Sequence, residues 1–233
     1  MLRAVIFDWD GVVIDSSAHH ERSWEILAAR RGLTLPPDHF KRGFGKKNAV
    51  IIPELGWAQD PDEVDKLGRE KEEIYRDLVR RHGIDPLPGV RQLLAALQTE
   101  GIAAAVGSST EMANLDALLD MMGLRQFFFA FVSADDVTLG KPDPAVFLLA
   151  ARRLGAAPCE CLVIEDALVG IEAARRAGMP VLAVATTNPL AALGAATCAV
   201  ASLAEIGPAD LRRIAKGAHN APATCTKVQT VDI

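Results

Sequence analysis

Four short apolar segments of this chain each lead into small polar or charged residues, and this repeated pattern restricts the fold more than any other feature of the sequence. The segments are residues 2–7, 102–106, 128–132 and 161–164. Short apolar runs with polar boundaries are typical of buried strands, and the carboxyl ends of such strands hold the ligands in open α/β sheets. The candidates for chemistry are therefore the residues that follow the four segments: Asp8-Trp9-Asp10-Gly11, Gly107-Ser108-Ser109-Thr110, Gly140-Lys141-Pro142-Asp143-Pro144 and Glu165-Asp166.

The stretches between these segments carry helical patterns at residues 111–122, 144–154 and 168–177. A further strand is predicted at residues 180–185, and residues 198–201 are expected to add an edge strand. Alternating strands and helices imply parallel βαβ units whose helices cover both faces of a sheet. The sequence therefore predicts an α/β, doubly wound parallel sheet of the Rossmann-like kind, with the first strand near its centre.

Residues 16–85 interrupt this alternation, because they contain helical patterns and no convincing strand. Apolar residues recur at helical spacing along residues 61–81, and a short loop is predicted at residues 40–48. We therefore predict an inserted all-helical unit over residues 16–85 between two parts of the core, residues 1–15 and 86–205. Residues 216–233 have little periodicity and are expected to form a flexible tail.

Asp8 and Asp10 leave the end of the first predicted strand together. Because they are two residues apart, both carboxylates can reach one pocket, where one can act as a nucleophile and the other as a general acid and base. Gly11 permits the sharp turn that such an arrangement needs. A strand followed by an Asx turn is the simpler alternative for this short motif taken alone.

Taken in order, the four motifs resemble those of the haloacid dehalogenase superfamily of aspartate-nucleophile phosphotransferases. The resemblance covers roughly residues 1–190 and is to the branch with a helical cap after the first strand, which includes β-phosphoglucomutase and many sugar-phosphate phosphatases. It implies a magnesium cofactor, Mg²⁺, with Asp8, the backbone carbonyl of Asp10 and Asp166 as ligands. Glu165 is expected to support the metal directly or through water. For Asp166, capping of the helix that follows is the structural alternative.

The resemblance also assigns roles in catalysis. Asp10 is expected to protonate the leaving oxygen and then to activate water, and proximity to Asp8 is expected to raise its pKa, although the metal opposes this. Lys141, which would otherwise be a solvated surface lysine, is expected to join the nucleophile to the phosphoryl oxygens. Ser108 and the amide of Ser109 complete a phosphate cradle, while a helix N-cap is the competing role for Ser109 or Thr110.

This chain also departs from the family pattern. Ala167 stands where relatives often have a serine, which affects fine positioning. In the inserted unit, Asn48 lies in the nearest register to the arginine with which β-phosphoglucomutase grips its second phosphate. Lys46 and Lys47 are expected to contact substrate from the same loop, and His20 matches a histidine at the cap hinge, although an exposed helix position is its alternative. Glu111 after the second motif would repel a second phosphate.

These residues favour a magnesium-dependent phosphatase of small phosphorylated metabolites, with sugar phosphates as the expected substrates and an aspartyl-phosphate intermediate. A β-phosphoglucomutase-type phosphosugar mutase is the alternative. Dehalogenation is disfavoured because Asp10 is present, whereas the dehalogenase branch of the family that the chain resembles lacks this second aspartate. A receiver-like, non-enzymatic phosphoprotein also uses an aspartate, a lysine and a hydroxyl, but it would need neither Asp10 as an acid nor the insertion.

Composition excludes several other classes of protein. The 233 residues carry a net charge of −5 with scattered lysines and arginines, so no basic patch marks a nucleic-acid partner. No apolar stretch approaches the ~20 residues of a membrane span, and no signal peptide is recognised, so a cytoplasmic protein is expected. The cysteines at 159, 161, 198 and 225 lack the spacing of a zinc site. We expect a small-molecule substrate and a monomer.

Overall fold

The computed structural model describes residues 1–43 and 46–217. Within these residues, parallel pairing joins every strand of a six-stranded sheet in the order β3-β2-β1-β4-β5-β6, which confirms the predicted fold class. The first strand lies between β2 and β4, near the centre of the sheet, as predicted. The strands are β1 (Ala4–Phe7), β2 (Ala103–Gly107), β3 (Ala130–Val132), β4 (Cys161–Glu165), β5 (Val181–Val184) and β6 (Cys198–Val200).

Both faces of the sheet are covered, because successive side chains of a strand point to opposite sides. In β1, Val5 and Phe7 pack into one apolar cluster, whereas Ala4 and Ile6 pack into a second. The first cluster includes residues of α5 (Val90–Thr99), α6 (Met112–Met122) and α9 (Pro208–Gly217). The second includes residues of α7 (Ala145–Arg153) and α8 (Leu168–Arg176). The sheet is thus buried on both sides, which explains why its strands read as continuous apolar runs.

The helical insertion between β1 and α5 consists of α1 (Ser17–Arg31), α2 (His39–Gly43), α3 (Asn48–Glu54) and α4 (Pro61–His82). It has its own apolar cluster, which includes Trp24, Leu27 and Leu67. Asp60 caps α4 by accepting hydrogen bonds from the amides of residues 62 and 63, and the chain leaves this helix at a glycine. The loop predicted at residues 40–48 was only partly correct, because short helices occupy both of its ends; residues 44 and 45 lie outside the described part.

At the other end of the chain, α9 was not predicted. Its apolar residues Leu211, Ile214 and Ala215 recur at helical spacing and are buried. Residues 216 and 217, which were assigned to the tail, are the last residues of this helix. The rest of the predicted tail, with Cys225, lies outside the described residues. In the part of the chain that the structure describes, no helix combines the length and apolar character needed to cross a membrane.

Candidate active site

One cavity of about 510 Å³ opens between the carboxyl ends of the strands and the helical insertion. It collects side chains that are far apart in the sequence, because parallel strands end at the same edge of the sheet. Every candidate residue that the sequence analysis named lines this cavity: Asp8, Asp10, His20, Lys46, Lys47, Asn48, Ser108, Ser109, Lys141, Glu165 and Asp166.

The turn after β1 sends both aspartates to the cavity while the residue between them enters the core. Trp9 is fully buried in an apolar cluster, whereas Asp8 and Asp10 line the cavity. Gly11 has φ +80°, and a Cβ there would lie 1.9 Å from the Asp166 Oδ2 atom. Glycine is therefore required both for the backbone conformation and for the close approach of Asp166.

Lys141 lies at the centre of the acidic residues. Its Nζ atom is 2.9 Å from Asp8 Oδ1 and 2.7 Å from Glu165 Oε1, and only 3% of its side chain is exposed. Burial alone would lower the pKa of Lys141, but the two carboxylates raise it above its usual value. The alternative of a solvated surface lysine is therefore excluded.

Glu165 is fully buried, and both of its carboxylate oxygens have donors. Its Oε1 atom accepts from Lys141, and its Oε2 atom accepts from the amides of Asp166 at 2.7 Å and Ala167 at 2.6 Å. Gly170 leaves the space for this carboxylate, since a Cβ there would lie 1.5 Å from Glu165 Oε1. Glu165 therefore anchors Lys141. Because its Oε1 atom accepts from this one donor among the described residues, a lone pair of that oxygen is still available to a metal.

The donor set suits a divalent cation. Asp8, Glu165 and Asp166 each place a carboxylate oxygen within 4.8 Å of the others. Asp166 Oδ1 is buried and has no hydrogen-bond partner among the described residues, whereas Oδ2 accepts from Thr187. Burial and then neighbouring carboxylates raise the pKa of Asp166 to about 8, and burial likewise raises that of Asp8 to about 8 despite Lys141. A hard cation at this point would neutralise the excess negative charge.

Asp166 does not cap the helix that follows it. Helix α8 begins at Leu168 and is preceded by Ala167, and no side chain caps it. The Asp166 carboxylate instead lies beside Gly11 and Thr187. Asn188 adds a hydrogen bond of 3.0 Å to the backbone carbonyl of Asp166.

The expectation that the pKa of Asp10 is raised was wrong. Burial does raise it, but His20, Ser16 and Thr110 together lower it to about 2. The hydroxyl groups of Ser16 and Thr110 each donate to one Asp10 oxygen, and His20 Nε2 lies 3.7 Å from Oδ1. These groups stabilise the ionised form more strongly than burial destabilises it.

Ser108 is buried at the end of β2, where its amide donates to the carbonyl of Val132 at 2.9 Å. Its Oγ atom accepts from the amide of Thr110 at 3.1 Å, which folds the backbone into a turn. Because Glu111 precedes α6 and no side chain caps that helix, neither Ser109 nor Thr110 has the N-cap role.

A buried polar network extends from the helical insertion to the core. Lys71 Nζ lies 2.8 Å from Glu72 Oε1 and 2.6 Å from His20 Nδ1, and both Lys71 and Glu72 are buried. His20 stacks on Tyr75 with ring centres 3.9 Å apart, so it is not an exposed helix residue. Asn114 of the core donates to Glu72 Oε2 at 2.6 Å. Although burial raises the pKa of Glu72, Lys71 and His20 lower it to about 2.

Three insertion residues that were expected to touch substrate have other partners. Lys46 pairs with Glu54 at 2.8 Å, and Asn48 donates to Glu72 at 2.8 Å. Lys47 Nζ donates to the carbonyls of Ala134 at 3.0 Å and Val137 at 2.8 Å, in the core segment that leads to Lys141. All three line the cavity, but the polar end of each is already bound by protein.

Sequence reasoning missed the residues that complete these networks. Ser16 and Thr110 orient Asp10, Thr187 orients Asp166, and Lys71 joins His20 to Glu72. The sequence did contain a signal for Thr110, because this threonine directly follows the Ser108-Ser109 pair and its hydroxyl therefore lies close to a strand end. Nothing in the sequence near Lys71 distinguishes it from the exposed charges of the same helix.

A family model described as haloacid dehalogenase-like hydrolase matches residues 2–178. The chain belongs to this family. The match extends from β1 through α8, so it contains the whole cavity and the helical insertion. As a haloacid dehalogenase-like hydrolase, the chain is an enzyme, and the receiver-like interpretation is set aside.

Its relatives include phosphatases and a phosphoglucomutase. Fructose-1-phosphate phosphatase YqaB of Escherichia coli (strain K12) is 38% identical over 179 residues, which are 75% of this chain and 92% of that protein. The chloroplastic 5-amino-6-(5-phospho-D-ribitylamino)uracil phosphatase of Arabidopsis thaliana is 35% identical over 214 residues; 90% of this chain spans 57% of its length. The β-phosphoglucomutase of Clostridium difficile superimposes with a TM-score of 0.83 at 26% identity, covering 93% of this chain and 98% of that one.

Proposed function

We propose that this hydrolase is a magnesium-dependent phosphatase of small sugar phosphates that works through an aspartyl-phosphate at Asp8. The observation that carries the proposal is the contact of Asp8 with Lys141 beside the unpartnered oxygen of Asp166. A nucleophilic carboxylate, a cation fixed against it and a free metal-ligand oxygen are the parts that phosphoryl transfer needs. The similarity to a fructose-1-phosphate phosphatase supports a sugar phosphate as substrate.

In the first step, Asp8 attacks phosphorus and the bond to the leaving oxygen breaks. Lys141 is held 2.9 Å from the Asp8 carboxylate, so its ammonium is in place to balance negative charge on the phosphoryl oxygens. Glu165 keeps that ammonium fixed through its own ion pair at 2.7 Å. The hydroxyl of Ser108 and the amide of Ser109, which line the same cavity, are the proposed further donors to the phosphoryl oxygens.

Asp10 is the general acid and general base of the proposed reaction. Its oxygens accept from Ser16 and Thr110, which fixes the carboxyl group beside the cavity and favours its ionised form. That form is the general base needed to activate water in the second step. In the first step Asp10 must carry a proton, and an incoming phosphate dianion favours this because a nearby negative charge raises the pKa of a carboxyl group.

The metal site of this proposal consists of Asp8, Asp166 and the backbone carbonyl of Asp10, with Glu165 holding Lys141. The unpartnered Asp166 Oδ1 atom and the raised pKa values of Asp8 and Asp166 fit such a site. Held by these residues, Mg²⁺ would neutralise negative charge during phosphoryl transfer.

Transfer to a second sugar hydroxyl, as in a phosphosugar mutase, is the alternative, and the similarity to a β-phosphoglucomutase favours it. A mutase must also hold the second phosphate of a bisphosphate. The lysines and the asparagine that were candidates for this have partners within the protein, and Glu111 faces the cavity. Hydrolysis is therefore the better supported outcome.

The test is phosphate release from a panel of sugar monophosphates, with and without Mg²⁺ and with a chelator. We expect release that requires the metal and is lost in Asp8→Asn. In a second arm, β-glucose 1-phosphate with a trace of the bisphosphate should release phosphate. Conversion to glucose 6-phosphate without phosphate release would establish the mutase, and full activity in chelator would contradict the metal requirement.

A further inference from the structure

Glu111 is an acidic residue of the cavity wall for which the described part of the protein provides no hydrogen-bond donor or ion-pair partner. It follows the Ser108-Ser109-Thr110 turn directly, immediately before α6, and its half-buried side chain lines the cavity. Among the described residues, none donates a hydrogen bond to its carboxylate or forms an ion pair with it. A half-buried acid without a partner at the mouth of a substrate cavity is available to bind a ligand.

The cations around Glu111 are engaged elsewhere. Arg76 donates to Asn114 Oδ1 at 2.8 Å, and Lys71 is held by Glu72 and His20. Lys47 is bound by two backbone carbonyls. Each of these cations therefore already donates to groups of the protein, so a second phosphate or a carboxylate beside Glu111 would have to compete for them while Glu111 itself repels it.

Some of the groups that face Glu111 raise its pKa and others lower it. Burial, Glu72 of α4 and Asp135 of the segment after β3 raise its pKa to about 7, while Arg76 and Lys71 of α4 lower it. Near neutral pH, this carboxyl group is thus present in both forms, and either form accepts a hydrogen bond from a hydroxyl group. The ionised form adds repulsion of anions.

We propose that Glu111 determines substrate class by binding a hydroxyl donor of the leaving group and excluding leaving groups that carry a second anion. The proposal rests on the phosphatase function above and sharpens it: the substrates are monophosphates of neutral polyols or sugars. Bisphosphates and phosphorylated sugar acids are excluded. The exclusion weakens as the pH falls, because protonation removes the repelling charge.

Two six-carbon substrates test this directly. Glucitol 6-phosphate and 6-phosphogluconate have the same chain and phosphate and differ at the far carbon, which is CH₂OH in one and COO⁻ in the other. We expect wild-type kcat/KM to favour glucitol 6-phosphate by at least about tenfold, the size expected of one like-charge pair in a partly buried site. Glu111→Gln should reduce that preference by about tenfold, because glutamine keeps the acceptor and loses the charge.

The matched control is Glu73→Gln. Glu73 is exposed on α4, next to Glu72, and it does not line the cavity, so this variant makes the same change in net charge without changing the proposed contact. We expect its substrate preference to equal that of wild type. The preference should also decline from pH 8 to pH 6 in wild type and stay constant in Glu111→Gln. Steps common to both substrates cancel in the ratio.

A preference that Glu111→Gln leaves unchanged, or a wild-type preference for 6-phosphogluconate, would overturn the proposal. Binding of both compounds in an Asp8→Asn background, with and without Glu111→Gln, separates the two possible failures. If neither compound is hydrolysed but Glu111→Gln still changes the ratio of dissociation constants about tenfold, the phosphatase function fails and the role of Glu111 stands. An unchanged ratio of dissociation constants counts against Glu111 whatever the activity.

Discussion

The strand ends and the helical insertion both line the cavity, but negative charge is in excess at the strand ends and is paired with positive charge in the insertion. At the strand ends, Asp8, Glu165 and Asp166 lie around Lys141, and one Asp166 oxygen has no hydrogen-bond partner among the residues that the structure describes. In the insertion, Lys46 pairs with Glu54 and Lys71 with Glu72, so charges are matched within the protein. The first region therefore has an excess of negative charge, whereas these charges of the second are paired within the protein.

This difference in charge balance indicates that the strand ends and the insertion have different roles. Unbalanced charge in a buried site is costly to folding and is retained where a ligand completes it. Balanced pairs in the insertion fix the shape of the cavity and its contact with the core, with Glu72 to Asn114 as one link and Lys47 to the carbonyls of Ala134 and Val137 as another. The proposed chemistry, including the selection by Glu111, therefore belongs to the strand ends, and the insertion supplies a paired, internally stabilised wall of the cavity.

The largest expected effect is that of Asp10→Asn at the strand ends. The asparagine carbonyl can accept from one of the two hydroxyl groups, those of Ser16 and Thr110, while its NH₂ group donates to the other. The side chain therefore keeps its place but can no longer transfer a proton. We expect kcat for a sugar phosphate to fall about 1,000-fold, and that for p-nitrophenyl phosphate much less, because its leaving group needs no acid. Steady-state kinetics on both substrates measure this. Equal losses would remove general acid catalysis from the account.

Gly170→Ala tests whether Glu165 must stay where it is. The new Cβ overlaps Glu165 Oε1, so the carboxylate that fixes Lys141 has to move. We expect kcat to fall about 100-fold from misplacement of the ammonium, and the free energy of unfolding to fall by about 1–3 kcal/mol through overpacking.

Gly194→Ala is the control for this substitution. Its Cβ would have no atom within 4 Å, and its φ of −61° suits alanine. Denaturant unfolding and kinetics should show wild-type values or a slight gain in stability. If Gly170→Ala behaves in the same way, Glu165 does not position Lys141.

The smallest expected effect is the difference between Lys47→Met and Lys46→Met. This pair tests whether the contact of Lys47 with the core matters for activity. Methionine keeps the length of the side chain and removes the ammonium, so Lys47→Met loses two charge-assisted hydrogen bonds to the core, and kcat/KM should fall about tenfold. Lys46→Met loses an exposed ion pair and should change kcat/KM less than about twofold. Hydrogen exchange should also quicken in the segment 134–140 of Lys47→Met alone. The reverse ranking would mean that Lys46, and not Lys47, matters for closure.

The same division explains what could be predicted from the sequence. Asp8, Lys141 and Asp166 follow strand ends, so a local pattern and the rules of parallel sheets were enough to bring them together. The pKa of Asp10, which sequence reasoning placed in the wrong direction, is lowered first by His20 and then by Ser16 and Thr110. The hydroxyl of Thr110 reaches Asp10 across 100 residues of sequence. In the insertion, the partners of Lys46 and Lys47 depend on how helices pack against each other and against the core, which local spacing does not encode.

The central claim is that the strand ends form a covalent phosphoenzyme at Asp8, and trapping it is the most direct test. Wild type and Asp10→Asn are mixed with a sugar phosphate and Mg²⁺, quenched, and reduced with borohydride, which converts an aspartyl-phosphate to homoserine. Mass spectrometry should locate homoserine at position 8, with a larger yield in Asp10→Asn because hydrolysis of the intermediate is slowed. Phosphate release with no modification at position 8 in either protein, or modification at Asp10 instead, would contradict the account.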